Sequence, residues 1–293
     1  MFDLWMANSK ILNTFDHSAG EMAENLVILA DGTICATLLL AGAVWLSSGE
    51  QEQVVPEHTG AIVVGLASDA DDRLYAAVRS ASDTVAGIWR REAPHRWIRF
   101  AAAESRAGLN GITFAEDGTL FAADSVHGEI LCCPPGDDTL RLWLADERLA
   151  PTSPDDPVSA TGVNGLKVWD GDLWATNTAQ GTVLRIGIDD GRPGALTRVH
   201  TGIPADDFAF DSAGTLYLAV HPRDTVLRIT PDGAMTVLAT EADGLDGPTA
   251  IAVIDDGLAV TSLGMLGSRH EPNIVRLTLD VAGPALPRPR MPR

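Results

Sequence analysis

The sequence predicts an all-β fold: a six-bladed β-propeller of four-stranded antiparallel blades, closed into one ring by an N-terminal strand. Three observations carry this expectation. One pattern recurs six times along the 293 residues: an apolar segment, a turn with Asp or Gly, a second β-rich segment, another turn, and a third. The copies begin at Glu24, Val64, Asn110, Asn164, Asp206 and Thr249, separated by 40, 46, 54, 42 and 43 residues. Turn formers are abundant (Gly 28, Pro 17), and no long helical period is evident. A length prior of roughly 150 residues per domain suggests two domains. The repeat spacing instead makes residues 1–293 one ring with a short Pro-rich tail at 283–293.

Each unit reads as consecutive strands. The clearest copies are NGITFAEDGTLFAADSVHGEILCC from Asn110, NGLKVWDGDLWATNTAQGTVLRIGI from Asn164 and DDFAFDSAGTLYLAVHPRDTVLRITPDG from Asp206. Weaker copies begin at Glu24, Val64 and Thr249. Val, Ile, Leu and aromatic residues fill the runs, and the AEDG, DSAG and DDG turns supply hairpin chemistry. A fourth strand follows in most units: RWIRFAA from Arg96, LRLWLAD from Leu140 and MTVLATE from Met235. Four strands per repeat of about 40–50 residues is the propeller pattern. The last unit stops at RLTLD, before prolines that cannot pair inside a sheet. The segment near Lys10 to Phe15 is therefore expected to supply its missing outer strand and close the ring. Gly-His and Trp-Asp markers do not recur, since the single Trp169-Asp170 lies in a hairpin turn, and double glycines of the kelch type are absent.

Composition narrows the partners. Asp+Glu 40 against Lys+Arg 21 gives a net charge of -19, which disfavours nucleic acid and anionic membrane surfaces and suits a protein that holds a cation. Cys35, Cys132 and Cys133 form neither a disulfide framework nor a C-x-x-C metal motif, and read as reduced, mostly buried thiols. The N-terminus lacks a cationic start followed by an apolar run, and the longest apolar run, Leu38 to Leu46, is about half the ~20 residues that span a bilayer. A cytoplasmic location is expected.

In a propeller the innermost strand of each blade lines the central channel, so the residues opening those strands converge at one mouth. Here they are Glu24, Val64, Asn110, Asn164, Asp206 and Thr249. Two carboxylates facing each other with two Asn carbonyl oxygens form a hard-cation site, for which Ca²⁺ is the natural occupant. Mg²⁺ or Mn²⁺ could substitute, whereas Zn²⁺ would be expected to bring His or Cys ligands. The alternative is that these residues satisfy buried backbone groups or hold channel water. Asp207 is the alternative ligand to Asp206; register favours Asp206, because Phe208 then matches Ile112 and Leu166. Loops between second and third strands open on the same mouth and bring Leu38 to Leu40, Arg79, Asp124, His127, Asn177, Gln180, His221, Arg223 and the stretch Leu263 to Pro272. His127 and His221 are proton-transfer candidates, with a structural role as the alternative. Asp124 has turn capping as its alternative.

These motifs resemble the senescence-marker-protein/gluconolactonase family, the regucalcin-like six-bladed propellers, over about Glu24 to Leu279. The family's opening-strand Glu, its two Asn-Gly motifs and its Asp-Gly motif correspond to Glu24 in AENL, Asn110 in LNGI, Asn164 in VNGL and Asp206 in ADDF. The resemblance implies that Glu24, Asn164 and Asp206 hold a divalent cation, and that Asn110 binds metal or substrate. Two departures stand out: Asn25-Leu26 replaces Gly-Pro, and Asp207 stands where Gly is usual. The Arg that sugar-lactone members carry two residues before the earlier Asn is Gly108 here. With Val64, Leu38 to Leu40 and Met265 near the mouth, the implied activity is hydrolysis of a lactone or ester less polar than a sugar lactone. Asp206 or His221 would activate water, and Asn110, Asp124, Asn177, Leu39 and Met265 would contact substrate. A strictosidine-synthase-like condensation, an isomerase or cyclase, and a non-catalytic metal-stabilised binding propeller are the alternatives.

Overall fold

The computed structural model describes residues 8–55, 60–265, 269–283, 286 and 288–291. They form six four-stranded antiparallel sheets in the order the repeats predict. Blade one comprises Ala23–Ile28, Ile34–Leu38, Ala43–Leu46 and Gln51–Gln53, and blade two Ile62–Ser68, Leu74–Arg79, Gly87–Ala93 and Arg96–Ala102. Blade three follows with Leu109–Phe114, Leu120–Asp124, Glu129–Cys133 and Arg141–Ala145, and blade four with Val163–Trp169, Asp172–Asn177, Thr182–Asp189 and Arg192–Thr201. Blade five holds Phe208–Phe210, Leu216–Val220, Thr225–Ile229 and Met235–Ala239. Blade six holds Pro248–Ile254, Gly257–Ser262 and Asn273–Thr278, and its outer strand is Asn8–Thr14. Asn8 pairs with Thr278 and Thr14 with Asn273, so the closing strand starts two residues before the expected Lys10. The described helices are three short 3₁₀ turns, and none is long and apolar enough to cross a membrane.

Position within a blade decides the burial pattern. The inner strand Leu109–Phe114 is buried at every residue, because neighbouring blades cover both of its faces. The outer strand Arg192–Thr201 is mostly exposed. Apolar residues therefore pack between blades rather than in one central core. Tyr75, Ile88, Leu109 and Phe114 join blades two and three, while Phe208, Leu218, Val183 and Ile203 join blades four and five. The seam between blades six and one is thinner, with Leu26, Ala36, Ala250, Ala259 and Ile274 as its buried members. The Asp-rich turns cap their own hairpins: Asp211 accepts from Ala213 N and Thr215 N, and also from the Tyr217 hydroxyl at 3.1 Å. Asp69 treats Asp71, Arg73 and Tyr75 in the same way.

The described residues of the Pro-rich tail join no sheet. Two of its backbone carbonyls meet the blades: Gly283 O accepts from Ser212 N of blade five, and Pro289 O accepts from Ala70 N of blade two. Met291 is 4% exposed within the core between blades two and three. Cys35, Cys132 and Cys133 are buried free thiols, as expected.

One irregularity positions the site. The pairing of inner with second strand slips between Ala23 and Leu26, Val63 and Leu66, Leu109 and Ile112, Val163 and Leu166, and Pro248 and Ala250. Each slip is a bulge at the residue that opens the repeat, and it turns that side chain toward the channel. The blades approach one another closely there. A Cβ on Gly65 would lie 2.2 Å from Asn110 O, and one on Gly111 2.5 Å from Asn164 O. Gly65→Ala is therefore expected to lower stability by about 3 kcal/mol, measured by urea denaturation. An unchanged midpoint would show slack between blades two and three.

Candidate metal and active site

The five bulged positions and Asp206 of blade five converge on one cup of about 170 Å³, lined by Glu24, Val64, Asn110, Asn164, Asp206 and Thr249. Glu24, Asn110 and Asn164 are 7%, 6% and 3% exposed, so this polar ring is almost removed from solvent. The amide of each Asn is turned by a hydroxyl from its own blade. Asn110 Nδ2 donates to Ser125 Oγ at 3.1 Å, and Asn164 Nδ2 donates to Thr178 Oγ1 at 3.0 Å and to Asp206 Oδ1 at 2.7 Å. With the amine sides so occupied, the carbonyl oxygens are free for another partner. Asn110 Oδ1 and Glu24 Oε2 are buried and accept no hydrogen bond, a costly arrangement for acceptors that water cannot reach.

Three threonines fix the ring's backbone. Thr37 Oγ1 accepts from Asn25 N at 2.9 Å and donates to Val64 O at 2.7 Å. Thr176 Oγ1 accepts from Gly165 N and donates to Asp206 O, and Thr261 Oγ1 accepts from Ala250 N and donates to Glu24 O. Each satisfies its own bulge and staples it to the carbonyl of a ring residue in the next blade. None was singled out from sequence, although Thr recurs near the end of the second strand in ATL, ATN and VTS.

Charge is poorly compensated in the cup. Burial first, then Asp206 and Asp207, raises the Glu24 carboxyl well above the usual carboxylate range. Burial, with Asp207 next, pushes Asp206 up to about 8. Arg79 is the permanent cation among the lining residues; its Nε donates to Leu109 O. Burial pulls His221 down to about 4, which keeps it neutral near pH 7. Its Nδ1 has no hydrogen-bond partner and lies 3.6 Å from Asp206 Oδ2.

Asp206, not Asp207, faces the cup. Asp207 is 2% exposed and held by Lys167 Nζ, at 2.6 Å to both of its oxygens, and by Asn25 Nδ2 at 3.3 Å. The two departures from the family pattern, Asn25 and Asp207, thus touch each other across the channel. Leu39 and Met265 line the cup, joined by Leu263, Pro157, Val158 and Thr161. Leu38 instead packs in the core, and residues 266–268 of the stretch Leu263 to Pro272 lie outside the described residues. Pro157, Val158 and Thr161 come from the connection between blades three and four, where the 54-residue spacing was the sequence signal of an added loop.

Asp124 and Asn177 are placed otherwise than expected for substrate contacts. Asp124 Oδ1 accepts from the backbone N–H of Gly108, Val126 and His127, and Oδ2 lies 3.0 Å from His127 Nδ1. Asn177 donates to Arg148 O and Ala150 O and accepts from Gln180 N. Both side chains are spent on turns, and neither lines the cup. Gly108 has no room for the Arg of sugar-lactone members, because a Cβ there would lie 2.5 Å from Val126 Cγ2.

The ring offers two carboxylates and two amide oxygens, a donor set that fits a hard cation. Among the described residues no group of three or more His, Cys, Asp or Glu forms a metal cluster, so any ion here depends on the amides. Without a cation the raised carboxyls bind protons that the unfolded chain releases above about pH 4, so their contribution falls as pH rises toward 8. The depressed His221 acts oppositely, adding stability between about 4 and 6.5 and nothing further above. Chelator-treated protein should therefore melt at a lower temperature at pH 8 than at pH 6.5. Added Ca²⁺ should raise the melting temperature most at pH 8. A melting temperature indifferent to pH and Ca²⁺ would remove the cation from the site.

No protein-family model and no curated protein matches the chain. Solved structures do. Regucalcin from Agrobacterium tumefaciens, described as a calcium-binding protein, is 19% identical with a TM-score of 0.71, over 99% of this chain and 100% of that one. A gluconolactonase from Xanthomonas campestris is 16% identical with a TM-score of 0.67, over 92% and 90%. Virginiamycin B lyase from Staphylococcus aureus is 13% identical with a TM-score of 0.64, over 93% and 100%. At these identities the likeness is one of fold, and the chain is a six-bladed propeller of the architecture that regucalcin and gluconolactonases share.

Proposed function

We propose that the chain is a divalent-cation-dependent hydrolase that opens a lactone or ester less polar than a sugar lactone. The observation that carries this reading is the convergence of Glu24, Asn110, Asn164 and Asp206 from four blades, with Glu24 Oε2 and Asn110 Oδ1 buried and unpartnered. These four residues would hold the cation. Ca²⁺ suits their all-oxygen donors best; Mg²⁺ and Mn²⁺ suit them next, and Zn²⁺ least. When bound, such an ion supplies Lewis-acid polarisation of an acyl oxygen. The calcium-binding description of regucalcin and the gluconolactonase of the same fold support this assignment.

The chain's own groups supply the remaining chemistry. Arg79 brings a fixed positive charge to the cup, suited to an oxyanion developing on the substrate. His221, neutral and beside Asp206, is the proton acceptor for an attacking water. Leu39, Leu263, Met265, Pro157 and Val158 present apolar surface to the part of the substrate away from the acyl group. The filled space at Gly108 removes the usual site of a sugar-binding Arg, which agrees with a less polar substrate. The substrate is a small molecule, since the cup encloses only about 170 Å³.

A non-hydrolytic reaction is the second reading, favoured by one finding: a lyase stands among the proteins of this fold. A lactone and ester panel run in isotopically labelled water separates the two. Label in the product supports hydrolysis, and a rearranged or cleaved product without label supports the rival. Asp206→Asn and Glu24→Gln should each lose cation binding and activity together, by roughly 100-fold or more in activity. His221→Gln should keep cation affinity while kcat falls by about 10²-fold. Full activity in Asp206→Asn at saturating Ca²⁺ would remove Asp206 from the site.

A further inference from the structure

Below the ring the channel changes character. The inner strands continue past the bulges into a second cavity of about 620 Å³, whose inner-strand wall includes Leu26, Leu66, Ile112, Ile251 and Val253 and whose lining also carries Asp31, Asp255, Asp256, Arg276 and Arg288. That volume falls within the range of about 300–1,000 Å³ that encloses small organic ligands. At its upper end one amine reaches it, Lys167, whose side chain is 10% exposed. Lys167 Nζ lies 2.6 Å from both oxygens of Asp207 and 5.5 Å from the centre of the Phe208 ring. Asn25 Nδ2 reaches the same carboxylate from across the channel. These three polar residues form one buried hydrogen-bonded unit, of which Lys167 lines the lower cavity.

The choice of lysine is informative. Of the 21 cationic residues only Lys10 and Lys167 are lysine, and all the others are arginine. A carboxylate engaged through both oxygens is ordinarily matched by the guanidinium fork. A primary amine adds what arginine lacks, a nitrogen able to form a covalent bond to a carbonyl carbon. Here it lines a cavity whose inner-strand wall is apolar, with a carboxylate already in place against its charge.

We propose that Lys167 is a carbonyl-capture site, and that the lower cavity takes an apolar aldehyde held as a protonated imine with Asp207 as counter-ion. In the step, one ammonium hydrogen first leaves Nζ, the freed lone pair bonds to the carbonyl carbon, and the carbon–oxygen bond breaks. The oxygen leaves as water with two of the three ammonium hydrogens. The nitrogen retains one hydrogen and the single positive charge, so Asp207 faces a cation before and after. No oxidant or cofactor is required. The site is separate from the cup and does not depend on the hydrolase reading.

The test uses the full chain and octanal as probe, with cyanoborohydride reduction, digestion and peptide mapping by mass spectrometry. Lys167 should carry the octyl adduct in about tenfold excess over Lys10, although Lys10 is exposed on the closing strand, because the alkyl chain is buried only at Lys167. Glyoxylate, small and charged, should reverse the preference. Lys167→Arg keeps the charge opposite Asp207 and should lose the adduct. Labelling confined to Lys10, or equal labelling of both lysines by both aldehydes, would overturn the proposal. The wild-type map decides even where the variant does not fold.

Discussion

Six inner strands must share one axis, and the rest of the molecule answers to that constraint. Strands brought that close leave no room for side chains between them, hence Gly65 and Gly111 against the carbonyls of the next blade. The residue just before each is then turned into the channel by a bulge. Polar groups arriving from five of the six directions have little water to satisfy them, so each must find a partner within the ring. Thr37, Thr176 and Thr261 satisfy backbone groups, and Ser125 and Thr178 satisfy the amide hydrogens. The acceptors Glu24 Oε2 and Asn110 Oδ1 are left over. The crowding that builds the fold thus also concentrates negative charge where it is hardest to solvate.

One level down, the same crowding is met differently. Asp207 occupies a position that glycine holds in blades two to four, and it brings a second buried carboxylate beside Asp206. Lys167 neutralises it, and Asn25, in place of another glycine, supplies a further hydrogen bond. The two departures from the family pattern are one compensated unit, and neither is intelligible alone. Replacing a buried member of such a set while keeping the others strands a charge, which is the expensive way to break an ion pair.

The fold was legible because a propeller repeats its turns. Asp211 and Asp69 cap hairpins by the same bonds, and so mark the same point of the unit in sequence. The ring residues Glu24, Asn110, Asn164 and Asp206 were legible for the same reason: periodicity alone brings them to one mouth. Loop residues obey no such rule. Asp124 and Asn177 sit at equivalent points near the same mouth, yet their side chains turn back onto backbone N–H and C=O groups. An Asp or Asn in a turn can serve either purpose, and only the local geometry decides. The threonine staples were missed because a β-branched hydroxyl residue in a strand reads as ordinary strand former. Lys167 lies inside an inner strand that otherwise looks like core, and its role depends on a partner 40 residues away.

The closing strand Asn8–Thr14 pairs with Asn273–Thr278, so the first described strand and the last form one sheet. A chain emerging residue by residue can assemble blades one to five from local hairpins, but blade six must wait for both ends. The entropy of joining such distant segments is met late, at the thinnest seam in the ring. Non-local pairing of this kind makes folding slow, with the incomplete ring exposing an unpaired strand edge in the meantime. Once joined, the same remoteness works in reverse: no local fraying of a hairpin opens the ring, and escape from the native state requires the seam itself to part.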